Sequence, residues 1–145
     1  MRLGITKIFY FEMAHAIHGY AGACKNMHGH SYELRVTVAS GEKGDACIPA
    51  PGFIVDFKAL KALVKAAVVD VLDHKLVLSR AWLAGAPSFP SQENLFIWDA
   101  EPTAENILVY AQKAIREKLP VGLKLTALKL YETKDSYAEW NDDGD

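Results

Sequence analysis

The chain has no long apolar run, no strong excess of either charge and almost no cysteine. No apolar segment approaches the roughly 20 residues that a membrane-spanning helix needs, so we expect no membrane partner. The formal net charge of -2 at pH 7 argues against a nucleic-acid surface. Two cysteines are too few for a disulfide scaffold, and the start of the chain lacks the apolar core of a signal peptide. We therefore expect a cytoplasmic protein with free thiols.

The remaining composition is that of a globular protein, and residues 1–145 are predicted to form a single domain. The hydrophobic pattern predicts strands over 3–14, 30–39, 123–132 and 136–140, and helices that begin after the caps Asp56 and Thr103. The order is β-β-α-α-β-β, which indicates an α+β fold. The segment 79–101 has no clear periodicity and is predicted to be a long loop, either functional or containing small hairpins.

Three histidines are the strongest chemical signal in the sequence. His28 and His30 begin a predicted strand, where alternate side chains share one face, and His15 lies at the end of the preceding strand. Taken singly, each is more often a hydrogen-bonded structural histidine. Together they predict a metal site, with zinc as the preferred ion for ligands that are all imidazoles. Three protein ligands leave a fourth position open, as in catalytic zinc sites.

The role of Cys24 is open on sequence grounds. Its thiolate could be a fourth ligand that closes a structural zinc site. Alternatively, it is an acid–base group whose thiolate is favoured by the nearby cation, and this is the interpretation that we prefer. Asp73 and His74 at a helix end, and Glu132 near a strand end, indicate no site by their spacing alone.

Six short blocks occur in order along nearly the whole chain, and together they resemble one known family. The blocks are residues 11–15, 24–32, 55–57, 72–75, 102–106 and 130–133. They are similar to the 6-pyruvoyl-tetrahydropterin synthase family, whose bacterial branch includes 6-carboxy-5,6,7,8-tetrahydropterin synthases. The resemblance implies the tunnelling fold, an antiparallel β-β-α-α-β-β sheet with two helices on one face. It also implies rings of subunits, commonly homohexamers, with active sites between subunits.

The same resemblance assigns a role to each candidate residue. It implies zinc on His15, His28 and His30, proton transfer by Cys24, Asp73 and His74, and a pterin ring anchored by Glu132. The implied substrate is 7,8-dihydroneopterin triphosphate, whose side-chain hydroxyls would be acidified by the zinc. Lys25, Lys75 and Lys134 are plausible triphosphate contacts, but we do not assign that role to them because surface lysines usually face water.

The resemblance leaves two enzyme branches and one alternative of another class. Three residues separate Cys24 from His28, a short spacing that looks like the carboxy-forming enzymes of queuosine and other deazapurine pathways. Such a lyase would release acetaldehyde and triphosphate, whereas the pyruvoyl-forming alternative eliminates triphosphate only. The third hypothesis is a zinc-binding module without catalysis, in which Cys24 closes the site.

Overall fold

In the computed structural model, which describes residues 3–41 and 44–144, the framework is a six-stranded sheet. The strands are β1 (Gly4–His15), β2 (His28–Ser40), β3 (Lys75–Ser79), β4 (Leu95–Trp98), β5 (Leu123–Thr133) and β6 (Ser136–Asn141). Their order across the sheet is β4-β3-β1-β2-β5-β6. The four strands predicted from the sequence form the antiparallel set β1-β2-β5-β6. The predicted α+β arrangement is therefore confirmed.

Two longer helices cover one face of this sheet. The first, α1, runs from Phe57–Val64 through a π-helical segment, Lys65–Val69, to a last turn, Asp70–Leu72. A short helix α2 spans Arg80–Ala84, and α3 spans Ala104–Lys118. The predicted caps are confirmed, since Asp56 accepts a hydrogen bond from the Lys58 amide and Thr103 accepts one from the Asn106 amide.

The main core lies between these helices and the sheet. Alternate residues of β1 and β2 point to it, among them Phe11, Met13, Tyr32 and Leu34, and all four are buried. Apolar side chains of α1 and α3 pack against them. Burying a side chain of this size is worth roughly 1.5–3 kcal/mol, so this alternation fixes which face of each strand is internal.

The structure corrects the prediction of a long loop over 79–101. The strands β3 and β4 lie parallel to β1 and extend the sheet on that side, and α2 lies between them in sequence. The apolar residues Leu76, Val77 and Leu78 are all buried, because core packs on both faces of β3. A strand buried on both faces has no alternating pattern, which is why the sequence did not reveal it.

The π-helical segment is a second feature that the sequence pattern did not predict, because the prediction assumed 3.6 residues per turn. Ala67, Val68 and Val69 are consecutive and all buried, which a regular helix at the surface of a sheet does not allow. Phe57, at the start of α1, is exposed. None of the helices in the described part of the chain is long and apolar enough to cross a membrane.

Candidate active site

The three histidines meet at one end of the core, beneath the helices. His15 and His28 are directly opposed in the β1–β2 pairing, and His30 lies two residues further along the same face of β2. One ring nitrogen from each of the three lies within 4.8 Å of the others. The predicted ligand set is therefore brought together, and no other such group occurs in the stretches that the structure describes.

Backbone carbonyls orient two of these rings. The Nδ1–H of His15 donates to the Pro102 carbonyl at 2.6 Å, and the Nδ1–H of His28 donates to the Asn26 carbonyl at 2.7 Å. The Nδ1–H bonds direct both Nε2 atoms toward the same point, and these two atoms lie 3.0 Å apart. Two nitrogens bound to one tetrahedral zinc lie about 3.3 Å apart, given Zn–N bonds of about 2.0–2.1 Å. The donor set thus fits a zinc ion, and the carbonyls supply the outer hydrogen bonds that metal-bound imidazoles usually have.

The environment of His15 favours the neutral imidazole that a metal ligand must be. Only 2% of the side chain is exposed. Burial is the main cause that lowers its pKa below the usual 6.5, and the cations that His28 and His30 would form lower it further. The Pro102 carbonyl and the Glu132 carboxylate oppose this shift without reversing it.

Tyr32 is a buried residue in contact with His15 and His30, and it was not among the predicted site residues. Its hydroxyl lies 3.5 Å from His15 Nδ1, and its ring packs edge-on against His30 with centroids 5.5 Å apart. Burial, with smaller contributions from Glu132 and Cys24, raises the pKa of this hydroxyl far above its usual value, so it stays protonated. The alternation of β2 already puts Tyr32 on the face of His28 and His30, which is the signal that could have identified it.

The Glu132 carboxylate approaches the same cluster from β5. Its Oε1 atom lies 3.8 Å from His15 Nε2 and 3.9 Å from His30 Nε2, and 31% of the side chain is exposed. These distances exceed a hydrogen bond, so the carboxylate has acceptor capacity left for another group. Spacing along the chain did not place Glu132 beside the histidines; the family resemblance did assign it to this site.

Cys24 lies close to the cluster in sequence but is not part of it. It occupies a 3-10 turn, Ala23–Lys25, and its side chain is exposed. Its carbonyl accepts a hydrogen bond from the Ile17 amide at 2.8 Å. The thiol does not belong to the group of mutually close ligand atoms. Both cysteines are free, as expected.

Asp73 and His74 form the pair that the family resemblance implies. Asp73 Oδ1 lies 3.0 Å from His74 Nδ1 and also accepts a hydrogen bond from the Glu12 amide at 2.9 Å. The His74 amide donates to the Glu12 carbonyl, so the pair is attached to β1. His74 has a positive φ of 62° and is 79% exposed. It borders a groove with Glu12 and Ser31, whose side chains lie on the exposed face of the sheet, opposite the buried face that carries His15.

Comparison with known proteins gives one consistent result. Residues 4–143 match the family model described as 6-pyruvoyl tetrahydropterin synthase. A 6-carboxy-5,6,7,8-tetrahydropterin synthase of Rickettsia bellii is 30% identical over 138 residues, 92% of this chain and 96% of the relative. The enzyme of the same name from Haemophilus influenzae is 29% identical, over 95% of this chain and 98% of the relative. A 6-pyruvoyl tetrahydrobiopterin synthase of Pongo abelii is 30% identical, over 79% and 68% respectively.

Solved structures agree on the fold. The 6-pyruvoyl tetrahydropterin synthase of Caenorhabditis elegans superposes with a TM-score of 0.70 at 18% identity, over 99% of this chain and 97% of that one. A Wolinella succinogenes protein superposes with a TM-score of 0.78 at 19% identity, over 99% of both chains. At this identity the likeness concerns architecture alone, and it confirms the predicted tunnelling fold.

Proposed function

Because this chain belongs to the 6-pyruvoyl tetrahydropterin synthase family, we propose that it is a zinc-dependent 6-carboxy-5,6,7,8-tetrahydropterin synthase. It acts on 7,8-dihydroneopterin triphosphate and water, and releases acetaldehyde and triphosphate. The observation that carries the proposal is the convergence of three imidazole nitrogens, two of them oriented by backbone carbonyls, beside a carboxylate. Two near-full-length relatives with that name support the carboxy-forming branch. We place the enzyme in the cytoplasm and in queuosine or related deazapurine biosynthesis.

Each candidate side chain has a role in this proposal. When bound by His15, His28 and His30, zinc supplies Lewis acidity toward the side-chain hydroxyls of the substrate. Glu132, beside this set, accepts hydrogen bonds from the amino group and ring N–H of the pterin. Cys24 moves protons at the side-chain carbons, for which an exposed thiol outside the group of three close imidazoles is suited.

The position of His74 supports a site shared between subunits. His74, whose side chain is 79% exposed, lines a groove on the exposed face that also includes His30. His15 is buried on the opposite face, and His74 contacts none of the three histidine rings in the described residues. In our proposal His74 serves the metal site of a neighbouring chain, where Asp73 orients its ring for proton transfer. This arrangement requires a ring of subunits, and we propose a homohexamer.

The pyruvoyl-forming reaction is the second candidate. It is favoured by the Pongo abelii relative, which is as similar to this chain as the bacterial enzymes over the part that matches. It would use the same residues and differ only in keeping the carbon–carbon bond. A non-catalytic zinc module is disfavoured, because a structural metal site needs neither the Asp73–His74 pair nor a carboxylate with free acceptor capacity.

The test is a product assay on the zinc-loaded protein with 7,8-dihydroneopterin triphosphate, read by mass spectrometry. We expect acetaldehyde, triphosphate and 6-carboxytetrahydropterin. A pyruvoyl product would change the branch, and a protein that binds zinc without turnover would support the metal-binding module. Glu132→Gln keeps the size of the side chain but replaces one carboxylate oxygen by an amide donor. We expect it to raise KM for the substrate about tenfold or more, as for a lost charge-assisted hydrogen-bond pair, with zinc retained.

A further inference from the structure

The segment 79–101, which the sequence analysis predicted to be a loop with a possible but unassigned function, makes direct contact with the turn that carries Cys24. Within this segment, Trp82 lies in α2, and its amide donates to Ser79 Oγ at 3.0 Å. Its ring packs edge-on against Phe89, with centroids 5.4 Å apart, and contacts a second apolar cluster around Leu76 and Leu78. Trp82 is therefore held by its own neighbourhood, independently of the turn.

From this fixed position the indole N–H of Trp82 donates to the Lys25 carbonyl at 3.3 Å. Three successive carbonyls, those of Cys24, Lys25 and the following Asn26, therefore each accept a hydrogen bond from a different residue. The Cys24 carbonyl accepts from the Ile17 amide at 2.8 Å, and the Asn26 carbonyl accepts from His28 Nδ1 at 2.7 Å. Trp82 supplies the middle contact and is the one donor of the three outside residues 17–28.

The Cys24 side chain is exposed, so its position depends on the backbone of the turn rather than on packing around the thiol. The Ile17–Cys24 hydrogen bond joins the turn to the residues that follow β1. The His28–Asn26 hydrogen bond joins it to a predicted metal ligand. Of these three contacts, the Trp82 contact alone ties the turn to α2, through a side chain with two rotatable bonds that is itself packed.

We propose that Trp82 is a positioning residue that holds the turn Ala23–Lys25, and hence the Cys24 thiol, in the geometry for proton transfer. This proposal rests on the catalytic role of Cys24 in the proposed function. It also gives a role to part of the 79–101 segment, because α2 carries the side chain that holds the Cys24 turn.

The test compares Trp82→Phe, which keeps an aromatic ring but removes the N–H donor, with Trp98→Phe as the matched control. Trp98 lies in the same segment, but its ring packs against Tyr110 in the main core. In Trp82→Phe we expect amide hydrogen exchange over residues 16–27 to be about three- to tenfold faster, as for the loss of one hydrogen bond. We expect kcat to fall by a similar factor, with KM and zinc content within about twofold of wild type. Trp98→Phe should leave exchange over residues 16–27 unchanged.

A double variant separates positioning from general support of the fold. If Trp82 acts through Cys24, then Trp82→Phe lowers kcat in the wild-type background but has no further effect on the residual kcat of Cys24→Ser. Unchanged exchange over residues 16–27, faster exchange with unchanged kcat, or loss of zinc would each overturn the proposal. A wild-type protein without turnover would instead refute the proposed function, and the exchange data would still decide whether Trp82 holds the turn.

Discussion

His74 offers two substitutions that are expected to differ in stability although both remove activity. Its backbone has a φ of 62°, in the left-handed region where a Cβ is unfavourable. Its side chain is 79% exposed, and the contact that holds it is the 3.0 Å approach to Asp73 Oδ1. The residue thus contributes little to the folded state, which is typical of a position kept for function.

The magnitude follows from comparing His74→Gly with His74→Ala. Both remove the imidazole, so both lose the exposed ion pair, worth about 0–1 kcal/mol. Glycine relieves a left-handed penalty of about 1–2 kcal/mol, but its more flexible unfolded chain costs about 0.5–1 kcal/mol. We therefore expect the free energy of unfolding of His74→Gly to exceed that of His74→Ala by up to about 1.5 kcal/mol, with a central value of about 0.75 kcal/mol.

The assay is urea unfolding of both variants at one protomer concentration, alongside turnover of 7,8-dihydroneopterin triphosphate. Both variants should lose turnover by about 100-fold or more, as expected for removing a proton-transfer group. If His74→Ala is the more stable variant, the backbone argument is wrong. Full turnover in His74→Gly would remove His74 from the catalytic set, and Asp73→Asn would then be expected to be active as well.

Three further predictions concern the histidine cluster. His15→Ala should abolish stoichiometric zinc binding, measured by metal analysis. Cys24→Ala should keep zinc and lose turnover. Loss of zinc in Cys24→Ala would instead make Cys24 a ligand. Asn106→Ala removes a 2.9 Å hydrogen bond to the carbonyl of Glu101, the residue before Pro102, and should weaken zinc affinity about three- to tenfold in a competitive chelator titration. An unchanged affinity would show that the Pro102 carbonyl needs no such support. Because the pKa of His15 is lowered in the folded chain, the unfolded chain binds more protons below pH 6.5, and the metal-free protein should lose stability as the pH falls through that range. His15→Gln should flatten this dependence in urea unfolding.

The part of the site that the sequence could predict is the part set by strand geometry. His28 and His30 share a face because side chains alternate in a strand, and that rule needs no knowledge of the rest of the fold. His15 joins them because β1 and β2 pair antiparallel across the connection 16–27, which places the end of β1 beside the start of β2. The same alternation contained Tyr32, but an aromatic residue on a buried face is expected for packing alone.

The strands β3 and β4, which the sequence analysis missed, are defined by pairing with strands that are distant in the sequence or short. β3 is recognisable only once α1 has returned the chain to the free edge of β1, where Val77 pairs with His15. β4 then pairs with β3 through Leu95–Trp98, a four-residue run too short to distinguish from a loop. The π-helical turn is likewise a response to the sheet beneath α1, because nothing in residues 65–69 demands an extra residue per turn.

The atoms that orient the proposed metal ligands are even harder to predict from a sequence. The carbonyl that fixes the His15 tautomer belongs to Pro102, 87 residues away, and any residue type can supply a carbonyl. What holds this carbonyl in place is the start of α3, where Thr103 caps the helix and Asn106 binds the preceding turn. The geometry of that helix end and the orientation of the His15 ring are therefore coupled. The block at 102–106 is explained by this coupling as much as by any contact with substrate, since a change in the helix cap moves the atom that determines which nitrogen of His15 faces the metal.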